Sequence, residues 1–311
     1  DEISEQLGGA AEWVEIAELP DEQVWRQVRG DPPDVLIDLA GHPGNNRLAL
    51  FAARAAPLQI SWLGYFATTG TPNMDCVLMD PWHAPPGCES QFSERVLRLP
   101  HTRFCFQPIA AAPGVAPPPS ARRGHITFGS FNSIAKLNER VIEVWSRVLR
   151  GVPGSRLVLK WRTLADASFR RMLAARFERC GIAPQRIEFR GASDHAALLG
   201  EYADIDIALD PFPFTGGQTS FEAHWMGVPV VTLAGERPVS RQTLCVLGNL
   251  GMADQAARSE DEYVQRALAL AGDPVRLREL RSSLRERMLA SPLMDAEAFS
   301  RAFADALRRG V

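Results

Sequence analysis

The chain has 311 residues, 46% hydrophobic and 23% charged, which is long enough for two globular domains. Its formal net charge of −3 argues against a broad basic surface for nucleic acid. No apolar run reaches the ~18 residues that a membrane span requires, and the acidic N-terminus does not resemble a signal peptide. We therefore expect a cytoplasmic protein with neither a nucleic-acid nor a membrane partner.

Short apolar strands alternate with polar glycine loops over the first hundred residues. Helices are predicted over about 4–7, 21–29 and 47–55, and strands over 35–39, 57–63, 76–79 and 95–99. His42 and Gly64 fall in the loops that follow the first two strands. Strands that alternate with helices in this way are typical of a parallel sheet.

Residues 107–124 are rich in proline and alanine, which predicts a linker. We place the domain boundary there, with part of an N-terminal lobe over 1–106 and a second lobe over 125–290. A C-terminal helix is predicted within 291–311. In the second lobe we predict strands over 125–130, 155–160, 186–190, 205–209 and 229–233, and helices over 139–150, 166–180, 195–202, 239–250, 260–271, 274–289 and 295–309.

The five cysteines do not form any C-x-x-C pair, and no histidine lies at zinc-ligand spacing from two of them. This spacing predicts free thiols in a reducing compartment and no structural metal. The cysteines are Cys76, Cys88, Cys105, Cys180 and Cys245.

A glycine pair between an apolar run and a helix carries the most information in the second lobe. Free amides and the positive end of the helix dipole make such a helix start an anion site. Hydroxyl donors follow the glycines, and a carboxylate one turn further in is suited to ribose hydroxyls. The candidate ligands are Gly216, Gly217, Thr219, Ser220 and Glu222. This pattern predicts a nucleotide diphosphate site, with ordinary turn chemistry as the alternative.

Lysine is rare in this chain. Of 34 basic residues only Lys136 and Lys160 are lysines, so a position that has kept lysine is a candidate for a role that needs a compact ammonium. Chance survival under a coding bias toward arginine is the alternative. Lys136 follows the strand predicted over 125–130, and open α/β sheets bind ligands in such strand-to-helix loops.

Two Rossmann-like lobes joined by a linker imply a cleft between them. That layout is typical of two-lobe transferases that use a sugar nucleotide. A helix N-terminus and a cation can carry the charge of a diphosphate, so we expect no metal and no cofactor.

Several segments, taken together and in order, resemble the catalytic region of the O-GlcNAc transferase and SPINDLY family, glycosyltransferase family 41, in its bacterial form. The segments are 38–42 with 45–47, 62–65 with 68–70, 128–132 with Lys136, 210–222, 227–235 with 240–241, and 291–293. The resemblance implies an α/β fold of GT-B type, with an incomplete N-terminal lobe. It also implies inverting transfer of a sugar, N-acetylglucosamine from UDP as first choice, to Ser or Thr of a protein or peptide.

The resemblance also implies roles for individual residues. Lys136 would neutralise the leaving diphosphate, and His42 is a second candidate catalytic residue. His195 would lie on the nucleobase and Glu222 would hold the ribose. Further residues implied to bind the nucleotide sugar are Asn132, Ser133, Gly216, Gly217, Gln218, Thr219 and Ser220. The residues implied to line the sugar pocket are Leu63, Gly64 and Phe214.

Departures from the family pattern keep alternatives open. Tetratricopeptide repeats and the first units of the N-terminal lobe do not occur in this sequence, so we expect it to be part of a longer enzyme. Gln218 replaces a usual threonine, and Phe214 replaces a small residue near the sugar's N-acetyl group. Transfer of fucose from GDP, as in the SPINDLY branch, therefore stays open. A sugar-nucleotide 2-epimerase and a non-catalytic nucleotide-sugar-binding or peptide-binding module are further alternatives.

Overall fold

The computed structural model describes residues 7–310. They form two compact units. The first covers residues up to Leu78, with Ser90–Leu97 and the end of the chain from Leu307, and the second covers Met79–Glu89 and Arg98–Ala306. The helix predicted over 4–7 lies, except for Leu7, outside the described residues.

A four-stranded sheet of order β1-β2-β3-β4 is the framework of the first unit. Its strands are β1 (Val35–Asp38), β2 (Leu58–Ser61), β3 (Cys76–Met79) and β4 (Arg95–Arg98). The first three strands are mutually parallel, as the alternation of strands and helices predicts. The helices α1 (Asp21–Gly30) and α2 (Leu48–Ala52) bury a small apolar core that includes Val24, Leu50 and Phe51.

The second unit contains a five-stranded parallel sheet of order β7-β6-β5-β8-β9. Its strands are β5 (Thr127–Ser130), β6 (Arg156–Lys160), β7 (Ile187–Arg190), β8 (Ile207–Leu209) and β9 (Val230–Val231). From β5 the chain adds β6 and β7 on one side, and it then returns to add β8 and β9 on the other side. The loops that follow β5 and β8 therefore lead to opposite faces of the sheet and leave a crevice between them. The segments that carry Lys136 and the glycine pair follow these two strands.

Alternating side chains place one apolar core on each face of this sheet. Leu157 and Leu159 of β6 lie in one cluster with Ile207 and Leu209 of β8. The intervening Val158 lies in the other cluster, together with Ala208. Successive strand residues point to opposite faces, so helices must cover both sides of a sheet that is apolar on both.

The helices of the second unit agree with the predicted ranges to within a few residues. They are α4 (Glu139–Gly151), α5 (Ala167–Arg179), α6 (His195–Glu201), α7 (Gln218–Trp225), α8 (Gln242–Asn249), α9 (Glu260–Ala271) and α10 (Pro274–Leu289), followed by α11 (Ala296–Gly310). Asn138 and Asp194 cap α4 and α6, as their positions predict, by accepting bonds from the N–H groups of Val141 and Ala197.

The proline- and alanine-rich segment differs from the predicted linker, because it packs on the second unit. The N–H of Phe106 donates to Leu293 O at 2.7 Å. Arg285 donates to Pro113 O at 2.8 Å and Arg281 to Ala116 O at 2.7 Å. The segment also holds a short helix, α3 (Ser120–Arg123). The compact units therefore divide the chain elsewhere than at 107–124, and the C-terminal helix is shared between them.

Two expectations from the sequence concern the cysteines and the absence of a membrane-spanning helix. All five cysteines are free, as predicted. Within residues 7–310 no helix is both long and apolar enough to cross a membrane.

Candidate active site

The segment between β8 and α7 folds around a buried carboxylate. Gly216 N donates to Asp210 Oδ1 at 2.6 Å, while Asp210 Oδ2 accepts from the hydroxyls of Thr232 at 2.7 Å and Thr243 at 2.6 Å. Burial raises the pKa of Asp210, and these hydrogen bonds and the charge of Lys136 oppose that rise. The carboxylate thus fixes the path of the chain through the glycine pair.

A side chain at Gly216 would overlap its neighbours, and one at Gly217 would make a tight contact. A Cβ atom on Gly216 would lie 2.3 Å from Ser220 Oγ and 3.0 Å from Asp210 Oδ1. A Cβ atom on Gly217 would lie 3.1 Å from Gln242 Oε1. Close packing therefore explains the glycine at 216 and disfavours a side chain at 217, and the absence of side chains lets a ligand approach the backbone.

The start of α7 presents unused amide groups. Ser220 N and Phe221 N donate to Gly217 O at 2.9 and 3.3 Å, and α7 has no side-chain cap. Within the part of the chain that the structure describes, the N–H groups of 217–219 have no intramolecular acceptor. Such amides at the positive end of a helix suit an anion. The N–H of Gly216, in contrast, is used by the carboxylate of Asp210.

Lys136 reaches the same loop from the segment that follows β5. Its Nζ donates to Asn132 Oδ1 at 3.1 Å and to Thr215 O at 2.9 Å. It also lies 4.1 Å from the centroid of the Phe214 ring, within cation–π range. Burial lowers the pKa of Lys136, and the negative charge of Asp210 opposes this. The structure thus brings the ammonium and the glycine loop together.

Asn132 links the two halves of this site. Its Oδ1 accepts from Lys136 Nζ and, at 3.0 Å, from the hydroxyl of Thr219 in the first turn of α7. The neighbouring Ser133 accepts the N–H of Lys136 through its backbone carbonyl at 3.0 Å. Asn132 and Ser133 therefore shape the segment that carries the ammonium.

A second group of predicted residues meets beside α7. His195 Nε2 lies 2.8 Å from Glu222 Oε1, and Gln218 Nε2 donates to the same oxygen at 3.2 Å. The Glu222 side chain is 7% exposed and that of His195 is 45% exposed. The histidine therefore offers an open ring next to a buried carboxylate.

Ser220, also predicted to bind the nucleotide, points inward. Its hydroxyl lies 2.7 Å from Thr243 Oγ1, and the residue is 2% exposed. Thr243 donates its only hydroxyl proton to the Asp210 carboxylate, so the proton of Ser220 must point to Thr243. Of the two predicted hydroxyl donors, Thr219 is the one that faces Asn132 and Lys136.

The remaining predicted residues, His42, Leu63 and Gly64, belong to the first unit. His42 Nε2 bonds to Thr69 O at 2.7 Å, and its ring packs edge-on against Tyr65 at 5.1 Å between centroids. A Cβ atom on Gly64 would lie 2.0 Å from Leu39 O, so glycine is required there. Leu63 has a positive φ of 67° and is 38% exposed.

Some residues that hold the glycine loop in place were not predicted from the sequence. Gln242 Nε2 donates to Thr215 O at 3.1 Å, and Thr243 and Thr232 bond to Asp210. They come from α8 and from the residue after β9, so no local pattern marks them. Lys160, the other lysine, is buried in an ion pair of 2.7 Å with Glu201, which indicates a structural role.

A buried cluster elsewhere in the second unit contains residue types that bind metals. Atoms of Asp80, His83 and Cys245 lie within 4.8 Å of one another. Asp80 Oδ2 already bonds to His83 Nδ1 at 2.8 Å and to Arg103 N at 2.8 Å. Cys245 Sγ contacts the same oxygen at 3.5 Å. Asp80, His83 Nδ1 and Cys245 are therefore engaged with one another, whereas His83 Nε2 is buried without a hydrogen-bond partner among the described residues, and the absence of a metal stays a prediction.

The fold defines the class of the protein. The structure is similar to sucrose-phosphate synthase from Thermosynechococcus elongatus, with a TM-score of 0.62 and 14% identity over 93% of this chain and 76% of that one. Similarity at this level shows the fold alone, and the fold is the α/β GT-B fold of glycosyltransferases. The chain belongs to glycosyl transferase family 41, because the model of that family matches residues 7–108 and 121–303.

Individual relatives agree with this assignment. The Probable UDP-N-acetylglucosamine–peptide N-acetylglucosaminyltransferase SPINDLY of Solanum lycopersicum is 38% identical over 93% of this chain and 31% of its own length. A variant of the Thermobaculum terrenum O-GlcNAc transferase has a TM-score of 0.94 and 34% identity, over 100% of this chain and 59% of that chain. The chain thus spans about a third of the curated SPINDLY relatives that it matches.

Proposed function

We propose that the protein containing this chain is an inverting O-glycosyltransferase that transfers N-acetylglucosamine from UDP to Ser or Thr of a protein. Membership of glycosyl transferase family 41 and the names of the relatives, which are peptide N-acetylglucosaminyltransferases, support the substrate class. The observation that carries the proposal is the convergence of the Lys136 ammonium with the unused amides of 217–219. A cation and free amides at a helix start are the kinds of group that bind a diphosphate.

The chemistry follows from where charge develops. The acceptor hydroxyl attacks the anomeric carbon from the face opposite the diphosphate. The new carbon–oxygen bond forms as the bond to the phosphate oxygen breaks, and that oxygen leaves with the electron pair. Lys136 and the α7 amides stabilise the departing charge through preorganised electrostatics. Partial burial of the ammonium strengthens this interaction, because water screens it less.

His42 is proposed to take the proton of the acceptor hydroxyl. Its Nε2 contacts the carbonyl of Thr69, which only accepts, so Nε2 carries the ring proton of the neutral imidazole. The lone pair therefore lies on Nδ1, which is the nitrogen able to act as a base.

The nucleoside is proposed to lie against the pair formed by His195 and Glu222. The Glu222 carboxylate can accept hydrogen bonds from two ribose hydroxyls. The exposed imidazole of His195 offers a flat surface on which a nucleobase can stack. Gln218, which also contacts Glu222, would help to hold this carboxylate in place.

We further propose that the reaction uses no metal and no cofactor, because one ammonium and several amides offset the diphosphate charge. The five free cysteines favour a reducing compartment, and we propose the cytoplasm.

The donor nucleotide can be tested on this chain directly. We expect UDP to raise its melting temperature more than GDP does, since binding to the native state stabilises it. The longer parent enzyme should then move N-acetylglucosamine onto a Ser/Thr peptide, detected by mass spectrometry. A larger shift with GDP, together with transfer of fucose, would identify GDP-fucose as the donor instead of UDP-N-acetylglucosamine. Binding without transfer by the parent would reduce the proposal to a binding module, and an epimerised free sugar nucleotide would contradict it.

A further inference from the structure

One peptide group of the glycine loop is held at both ends by charged side chains. The C=O of Thr215 accepts from Lys136 Nζ at 2.9 Å, and the N–H of Gly216 donates to Asp210 Oδ1 at 2.6 Å. These two groups belong to the same peptide bond. A single rigid amide plane therefore connects an ammonium on the segment after β5 with a carboxylate at the end of β8.

The second oxygen of Asp210 extends this connection to the start of α7. It accepts from Thr243 Oγ1, which in turn accepts from the hydroxyl of Ser220 in the first turn of α7. It also accepts from Thr232 Oγ1, which follows β9. One carboxylate thus fixes the loop, the start of α7 and the α8 helix together.

The carboxylate performs this role without a cation in contact. Asp210 is 1% exposed, and within residues 7–310 the hydrogen bonds to its side chain all come from neutral donors. The titratable groups that act on it are Lys136, through its charge, and Tyr263, whose hydroxyl donates to Asp210 O at 3.1 Å. A buried charge in such surroundings is costly unless its hydrogen bonds are complete.

We propose that Asp210 is a positioning residue that keeps the Thr215–Gly216 peptide and the Lys136 ammonium in the arrangement that receives a diphosphate. Asp210 is not proposed to touch the ligand. It orients the peptide whose oxygen anchors the ammonium, and its charge favours the protonated form of that lysine. The inference rests on the proposed function for the identity of the ligand, but not for the coupling between the two side chains.

The small number of lysines makes the coupling directly measurable. Lysine labelled with ¹³C at Cε gives two signals in this chain, one from Lys136 and one from Lys160, and Lys160→Arg assigns them. The variant Asp210→Asn keeps the shape and an acceptor for Gly216 N–H but removes the charge. We expect the Lys136 signal to titrate at lower pH in Asp210→Asn than in the wild type. The Lys160 signal, from a lysine held by its own ion pair with Glu201, serves as the internal reference.

The matched control is Asp206→Asn. Asp206 is a second buried carboxylate, just before β8, which accepts from Thr127 N at 2.9 Å and Ser120 N at 3.0 Å. Its loss should lower the melting temperature without moving the Lys136 titration. An equal shift in both variants, or no shift in Asp210→Asn while it stays folded, would overturn the inference.

Calorimetric titration with UDP connects the coupling to the ligand. Each variant is titrated at several pH values, and the wild-type affinity should fall as Lys136 loses its proton. In Asp210→Asn this fall should begin at lower pH, and affinity on the alkaline side should be about tenfold weaker, the size of one charged hydrogen bond. If the wild type does not bind UDP, the proposed function fails. The NMR titration still shows whether the charge of Asp210 acts on Lys136. If UDP binds with the same pH dependence to both proteins, the positioning role of Asp210 is wrong.

Discussion

His195 and Glu222 are joined by a hydrogen bond of 2.8 Å between Nε2 and Oε1, although 27 residues separate them in the sequence. His195 opens α6 and Glu222 lies in the second turn of α7, so the bond ties together two helices that follow different strands. The family resemblance implies that both contact one nucleoside, and their adjacency makes a shared ligand geometrically feasible.

Replacement of Glu222 by Gln should weaken UDP binding about tenfold, because a charged acceptor becomes a neutral one. Calorimetric titration of this chain with UDP measures the loss. The control is Glu201→Gln, which removes a carboxylate that bonds to Lys160 and Arg190 in the same unit. That control should lower stability and leave UDP affinity unchanged. Equal UDP affinity in wild type and Glu222→Gln would exclude the ribose role.

Replacement of Lys136 by Ala should slow transfer by the parent enzyme about 100-fold, the loss of ~3 kcal/mol expected for one preorganised donor to the leaving group. The folded state should survive, because the carbonyl of Thr215 keeps its bond from Gln242. Initial-rate measurements with a Ser/Thr peptide and a thermal melt separate these effects. Lys160→Arg is the control and should keep its turnover. Wild-type turnover in Lys136→Ala would remove the leaving-group role.

Replacement of Gly216 by Ala should destabilise the chain by about 1–3 kcal/mol, the usual range for overpacking. The added Cβ would lie 2.3 Å from Ser220 Oγ, so the loop must shift away from α7. The stabilisation by UDP in a thermal melt should disappear as well. Gly200→Ala is the matched control, because its Cβ meets nothing within 4 Å inside α6, and alanine there should add about 1 kcal/mol of stability. A Gly216→Ala protein with normal UDP response would contradict the close-packed loop.

Acid should destabilise the second unit through a buried histidine. Burial lowers the pKa of His224 from 6.5 to about 4, with the backbone bond to Ser220 O opposing this. The unfolded chain therefore binds more protons between pH 6.5 and 4, and the free energy of unfolding falls as pH drops through that window. The contribution approaches about 3 kcal/mol, since one pKa unit is worth about 1.4 kcal/mol.

Urea unfolding of wild type and His224→Leu at pH 7 and pH 4.5 measures this dependence. The gap in unfolding free energy between the two pH values should be smaller in His224→Leu than in the wild type. The exposed His101, replaced by Asn, serves as the control and should leave the gap unchanged. An equal gap in His224→Leu would mean that other groups, such as the buried His83, carry the acid sensitivity.

The sequence predicted the elements of the second unit well because their signals are local. Asn138 and Asp194 mark helix starts, and apolar runs mark strands buried on both faces. The loop after β8 and Lys136 were both expected at the carboxyl ends of strands, and a parallel sheet brings such ends to one edge. The strand order β7-β6-β5-β8-β9 then makes β5 and β8 neighbours.

What the sequence did not reveal depends on contacts between distant segments. The bond of Thr243 to Asp210 spans 33 residues, and that of Arg281 to Ala116 spans 165. Composition suggested a free linker at 107–124, because proline and alanine lack the charged groups that mark packing partners. The partners turned out to be backbone carbonyls, which every sequence offers and which no pattern distinguishes.

The anchoring of the proline-rich segment affects how the second unit can be isolated. Phe106 stacks on Phe221 of α7 at 5.1 Å between ring centroids. Arg285 donates to the backbone carbonyl of Pro113, and Arg281 donates to that of Ala116. A recombinant piece starting at His125 would expose the aromatic face of α7 and leave two guanidinium groups short of acceptors. An expression boundary for a stable second unit therefore belongs upstream of Phe106, and upstream of Met79 if the whole unit is to be kept.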